Sequence, residues 1–266
     1  MGAKREELIC CRPKRLPGSK LIEAARTATR INPLNHPRLD PLAGGGGGQA
    51  RGFRPSPRRI AVMTASYWGP AGVKLSVGFL DNPPADLRRR ILLHMNAWDR
   101  DANIRFVAGK TDPQVRIARA GGKDGGYWSY VGTDILHIPA DQATMNLEAF
   151  TMDTAESEFH RVVRHETGHT LGFPHEHMRR ALVNRIDAQK AIAHFKRWDG
   201  WDERETISQV LTPIEEVSIR GTRADARSIM CYQIPGEITK NGRPIVGGLD
   251  IDECDYRFAG QIYPKR

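Results

Sequence analysis

One stretch limits the folds open to this chain more than any other: His165-Glu-Thr-Gly-His-Thr-Leu-Gly-Phe-Pro-His175. His165 and His169 stand four positions apart, so on a helix both imidazoles leave one face about a turn from each other. That spacing lets two ring nitrogens meet one zinc ion at about 2.0–2.1 Å each. Glu166 follows the first histidine, angled away from coordination but within reach of a metal-bound water. Gly172 can adopt the left-handed conformation that ends a helix, and the turn it allows brings His175 back toward the same point. Three protein ligands leave one coordination position open, which is the catalytic arrangement rather than the closed structural one.

The flanking sequence supplies the strands and helices that must surround such a site. Residues 73–80 alternate apolar and polar and are rich in branched side chains, so they read as a strand, and residues 104–107 and 114–118 as two shorter ones. Asn82-Pro-Pro84 is a helix entry, after which Leu87, Ile91, Leu92, Met95 and Trp98 mark one apolar face. An aromatic loop, Gly125 to Gly132, leads to an expected strand near 134–138. The motif helix is expected over 154–171, capped by Asp153 with Glu156 three residues on. Shorter helices are expected at 187–198 and 202–211, and mainly loops beyond. His160 and His177 fit no ligand spacing. His160 is expected on another face, His177 in solvent in preference to a place near the site, and His36, His94, His137 and His194 form no constellation.

The N-terminal part differs in kind. Residues 1–60 hold 13 Lys and Arg against 4 Asp and Glu, while the other 206 residues hold 27 of each. The whole excess of +9 therefore lies in the first segment, and the high pI carries no message about a basic cleft in the rest. Residues 1–58, with a run of glycines from Gly44 to Gly48 and only Phe53 as an aromatic, read as a basic Gly/Pro/Arg-rich flexible tail. A weak helix at 20–28 is the one element expected there. Residues 59–266 read as the folded domain. No apolar run is long enough to span a bilayer, and no apolar stretch follows the basic N-terminus, so the expectation is a cytoplasmic protein or one exported by a non-classical route. Basic residues without interleaved aromatics argue against a specific nucleic-acid surface. Cys10, Cys11, Cys231 and Cys254 form no disulfide framework, and two buried free thiols at 231 and 254 are favoured over a bridge.

A second signature lies at Ser228-Ile-Met-Cys-Tyr232. Together with the extended histidine motif it resembles the Met-turn of metzincin zinc peptidases, and its Ser-Ile-Met-x-Tyr form resembles that of astacins. His175-Glu-His-Met-Arg179, Trp128-Ser-Tyr-Val-Gly132 and the closing Leu249-Asp-Ile-Asp with Ile262-Tyr263 are similar to further astacin segments, so the resemblance spans 73–263. It implies an α+β, metzincin-like fold: a twisted mixed sheet with two long helices over an irregular C-terminal subdomain, and a zinc cleft between. It also implies Met230 as a hydrophobic floor under the metal and Tyr232 as a switchable fifth ligand that stabilises the oxyanion. An edge strand near 134–138 would hold an extended peptide by β-augmentation. The two disulfides of secreted astacins and their Phe-x-Gly-Asp inhibitory motif are missing here. Asp40, Cys10 or Cys11 remain as residues able to occupy the metal.

The expected function is a zinc-dependent endopeptidase with one catalytic Zn2+, a protein or peptide substrate, and Glu166 as general base toward a metal-activated water. The rival expectation is a non-catalytic, zinc-stabilised peptide-binding module. A basic-tail adaptor for polyanions is the third, and only the tail supports it.

Overall fold

The computed structural model describes residues 11–35, 65–214 and 224–265. Five strands form one mixed sheet in the order β2-β1-β3-β5-β4: β1 Val73–Phe79, β2 Ile104–Ala108, β3 Val115–Ala118, β4 Tyr127–Ser129 and β5 Met145–Leu147. β1 runs parallel to β2 and β3, β3 runs parallel to β5, and only the edge strand β4 is antiparallel to its neighbour. Three of these strands stand where the alternation places them. The expected strand near 134–138 is instead a 3-10 helix, Gly132–His137. The edge strand comes from the aromatic loop just before it, and β5 lies beyond the reach of alternation because all three of its residues are buried.

Two helices cover the sheet. α2, Ala85–Met95, buries Leu87, Ile91, His94 and Met95, and a 3-10 turn extends it to the buried Trp98. Its entry residue Pro84 is the N-cap. α3 covers 156–170 in three pieces: one turn at Glu156–Glu158, a π-helical stretch at Phe159–Val163, and the α-helical Arg164–Thr170. The cap at Asp153 does not form. Ala155 is the N-cap, while the side chains of Thr151 and Thr154 hold the preceding turn. Apolar side chains of both helices join Leu75, Val77, Phe106, Ile117 and Leu147 of the sheet in one core. Burying each such side chain contributes roughly 1.5–3 kcal/mol.

The C-terminal subdomain has a smaller core around Phe195, Trp201, Val210 and Ile234. It holds α4, Ala188–Trp198, capped by the Asp187 side chain. The last helix, α5, Glu253–Ile262, begins with a full capping box between Asp252 and Asp255 and packs Ala259 and Ile262 into the larger core. α5 falls in the stretch expected as loops. Its acidic first turn lacks the apolar periodicity that would reveal it.

Residues 11–35 depart from the flexible tail expected over 1–58, most of which lies outside the described residues. α1, Leu21–Ile31, buries Ala24 and Ala28, and Asn32 and Asn35 donate to the carbonyls of Trp68 and Tyr67. Ahead of it, Arg12 N and Lys14 N donate to Tyr127 O and Ser129 O, adding a short parallel pairing to the free side of β4. A few small apolar residues suffice to dock the segment because asparagine side chains satisfy the backbone around it.

Candidate metal centre

The motif helix is held by its carbonyls as well as its apolar face. Trp98 Nε1 donates to Arg164 O at 2.9 Å, Trp68 Nε1 donates to Thr170 O at 2.8 Å, and the Tyr263 hydroxyl donates to Leu171 O at 2.5 Å. The helix ends as the sequence requires. Gly172 has φ +95°, its N–H bonds His169 O, and Phe173 N–H bonds Gly168 O, which is the Schellman pattern.

The turn brings the three histidines together. His175 Nε2 lies 3.1 Å from His165 Nε2 and 3.0 Å from His169 Nε2, and all three rings are buried. Burial holds each imidazole neutral, pushing His165 down to about 4 and His169 and His175 well below the ordinary value. His165 Nδ1 donates to Ile229 O at 2.6 Å and His169 Nδ1 to Phe173 O at 2.8 Å. With Nδ1 protonated, the Nε2 lone pairs point at one another, an arrangement that makes sense around a cation. Zinc–nitrogen bonds of about 2.05 Å at tetrahedral angles put neighbouring nitrogens about 3.3 Å apart, so the donor set fits zinc.

Glu166 is 1% exposed and neither carboxylate oxygen meets a well-aligned donor. Burial pushes its pKa up to about 8, with the Cys11 thiol beside it acting in the opposite sense. Met230 is buried against the helix at Gly168, where a Cβ would stand 2.4 Å from the Met230 sulfur. The glycine inside the motif therefore lets the Met-turn approach. The turn itself is pinned from α5: the buried Asp255 carboxylate accepts from Ser228 Oγ at 2.6 Å and from Ile229 N at 2.9 Å. Tyr232 is buried with its ring 4.3 Å from that of His175. His177, expected in solvent, is fully buried and stacks on Tyr232 at 4.1 Å.

Of the three residues named as able to occupy the metal, Cys11 is within the described residues, and its Sγ lies within 4.8 Å of the three histidine nitrogens. Two further groupings escape the sequence. His94, Glu156 and His160 form a second group able to hold a metal, and Asp225, Asp252 and Cys254 a third. A regular helix would turn His160 away from His165, five residues on. The π-helical stretch closes i→i+5 bonds and is wider than an α-helix, which brings His160 round so that both line one cleft of about 730 Å³ with Glu166 and Asp250. Cys231 and Cys254 form no bridge, as expected; Cys231 is buried, but Cys254 is exposed at the start of α5.

A twisted mixed sheet, two helices and a buried histidine cluster define a zinc peptidase fold with its metal in the cleft. The sequence model of the Astacin peptidase family matches residues 66–242, and the chain belongs to this family. It is accordingly a metalloendopeptidase that works with a catalytic zinc ion and a Glu base on protein or peptide substrate. Among solved structures, "Structure of myroilysin" is 28% identical, covers 76% of this chain and 97% of its own, and superposes with a TM-score of 0.70. A second, "Crystal structure of myroilysin", is also 28% identical, covering 75% and 86%, with a TM-score of 0.57. High choriolytic enzyme 1, a hatching enzyme zinc-protease from Oryzias latipes (Medaka fish), is 19% identical. It covers 76% of this chain and 96% of its own with a TM-score of 0.51, and so shares the fold. No curated protein matches. Among the described residues, no helix is long and apolar enough to cross a membrane.

Proposed function

We propose that His165, His169 and His175 hold the zinc of this peptidase, that Glu166 is its general base, and that the described conformation is a latent one closed by Cys11. The convergence of the three Nε2 atoms at 3.0–3.1 Å carries the reading. Zinc held there would supply Lewis acidity toward a peptide carbonyl and make a water nucleophilic at neutral pH. Glu166 takes the proton of the attacking water on its carboxylate and passes it to the departing amine nitrogen. A carboxyl whose proton affinity is raised by burial is suited to carry that proton between the two steps. The Tyr232 hydroxyl donates to the developing oxyanion and can take a place at the metal, with His177 fixing the plane of its ring. Met230 is the apolar floor. Residues 59–266 form the catalytic body.

Cys11 fills the position that a catalytic site leaves open. Its sulfur sits among the ring nitrogens, and the residues after it occupy the free side of β4, where an extended substrate would pair. A thiolate is a strong zinc ligand and excludes the water that Glu166 must deprotonate.

Substitution of Glu166 by Ala should leave the triad's zinc in place and lower cleavage of a quenched peptide by at least ~10²-fold. Cleavage at the parental rate would overturn the assignment. Cys11→Ala should raise the initial rate of the full chain without a lag, and an unchanged rate would remove the latency part alone.

A further inference from the structure

We infer that His94, Glu156 and His160 form a second zinc site, distinct from the three motif histidines, that ties α2 to the first turns of α3. Glu156 Oε1 lies 3.2 Å from His94 Nε2 and 3.4 Å from His160 Nε2. These separations are close to the edge, about 3.3 Å, of a tetrahedron of zinc ligands. His94 is 2% exposed, yet neither of its ring nitrogens makes a hydrogen bond. A buried imidazole aimed at a carboxylate oxygen without an aligned proton is costly unless something bridges the two.

The surrounding groups are set for a cation. His160 Nδ1 donates to Asp250 Oδ2 at 2.7 Å, which turns Nε2 toward Glu156 and gives the carboxylate–histidine pairing that orients metal ligands. Arg90 holds the other oxygen, Oε2, at 2.7 Å, so Glu156 offers Oε1 as a single donor. Two arginines face the site, and neither has to leave it. Arg90 remains on Oε2 and over the Phe159 ring, while Arg164 gives up a 3.3 Å contact to His160 Nε2 and keeps Asp250 Oδ1 at 2.6 Å. Glu156 and Asp250 balance their charge. Two imidazoles and one carboxylate suit zinc among divalent metals, with a fourth position for water.

The site binds more weakly than the buried histidine triad, because Glu156 is 59% exposed and the arginines oppose a cation. The test is zinc stoichiometry of the full chain by equilibrium dialysis with metal analysis, repeated by cobalt absorption. Wild type should take up two equivalents, and His160→Gln and Glu156→Gln one each. His169→Ala should also retain one, now bound at the second site. Cys254→Ser should still bind two, which separates this site from the Asp225, Asp252 and Cys254 group. His160→Gln and Glu156→Gln alter partly or fully exposed side chains, so the folded state is preserved and checked by circular dichroism. Saturation of wild type at one equivalent, two equivalents retained in His160→Gln, or one lost in Cys254→Ser would each overturn the inference. The outcome is independent of peptide cleavage, so a failed catalytic assignment would appear separately.

Discussion

Single residues at this site act through the lone pairs and protons they present. With the proposed ligand set, His169→Ala removes a donor whose Nδ1 is already fixed to Phe173 O, so the triad falls below three donors, and its zinc and cleavage should be lost together. Metal analysis beside a peptide assay would show whether the two losses coincide. Asp134 illustrates a different effect: burial raises its carboxyl to about 6, and Ser66 Oγ is the donor that partly offsets this. Because the folded-state value lies above the unfolded one, the native state favours the protonated form. The associated stability is complete below about 4 and lost as pH rises through about 6. Asp134→Asn should therefore gain stability relative to the parent between about pH 4 and pH 7, by an amount on the order of 1–2 kcal/mol after allowing for partial exposure. Melting temperatures measured across that range check it, and a constant difference would refute the account. At this scale the sequence carries the convergence of His165, Glu166, His169, His175 and Met230 on one point of the fold. They lie within short segments whose spacing carries geometry. His94 and Asp255 are not legible, and Cys11 cannot be told from its rivals, since each meets its partners through tertiary packing.

Elements explain why some of that spacing misleads. Four-residue spacing serves His165 and His169, but five-residue spacing across Phe159–Val163 works only because the helix widens there. No residue in Phe-His-Arg-Val-Val announces a π-turn, so neither composition nor period places His160. The final helix is hidden for a related reason: its start is defined by the Asp252–Asp255 capping box and not by an apolar stripe. That helix reaches the metal centre through Asp255, which accepts from Ser228 Oγ and from the backbone of Ile229 and Asp252. Asp255→Ala leaves those donors buried and unpaired, which costs about 2–4 kcal/mol, and it loosens the carbonyl of Ile229 that orients His165. The expected result is a lower melting temperature together with weaker zinc affinity. Ser228→Ala, which removes one bond, should give a smaller version of both. Loss of stability with unchanged zinc affinity would confine Asp255 to the fold.

At the scale of the whole molecule, two cores meet at one cleft, and the bound metal adds to their stability by mass action. Free zinc at about 100 times its dissociation constant stabilises the folded state by about 2.7 kcal/mol, so a chelator should lower the melting temperature of the full chain and added zinc should restore it. The overall α+β plan is legible because the strands and α2 carry strong periodicity. The docking of residues 11–35 is not, since asparagine hydrogen bonds hold it more than apolar pattern. That docking has a consequence for competition at the metal. In the proposed latent form, Cys11 is tethered through α1 to the metal site it closes and acts at an effective concentration of the order of millimolar. A free thiol of equal intrinsic affinity must approach that level before it displaces Cys11. A single break in the chain after Lys14 would leave Cys11 on a short peptide held by its two backbone pairings to β4, by Arg12 against Glu205 and Trp201, and by Lys14 over Trp128. Release of that peptide would then follow its free concentration, because the cut chain no longer holds Cys11 at a fixed effective concentration.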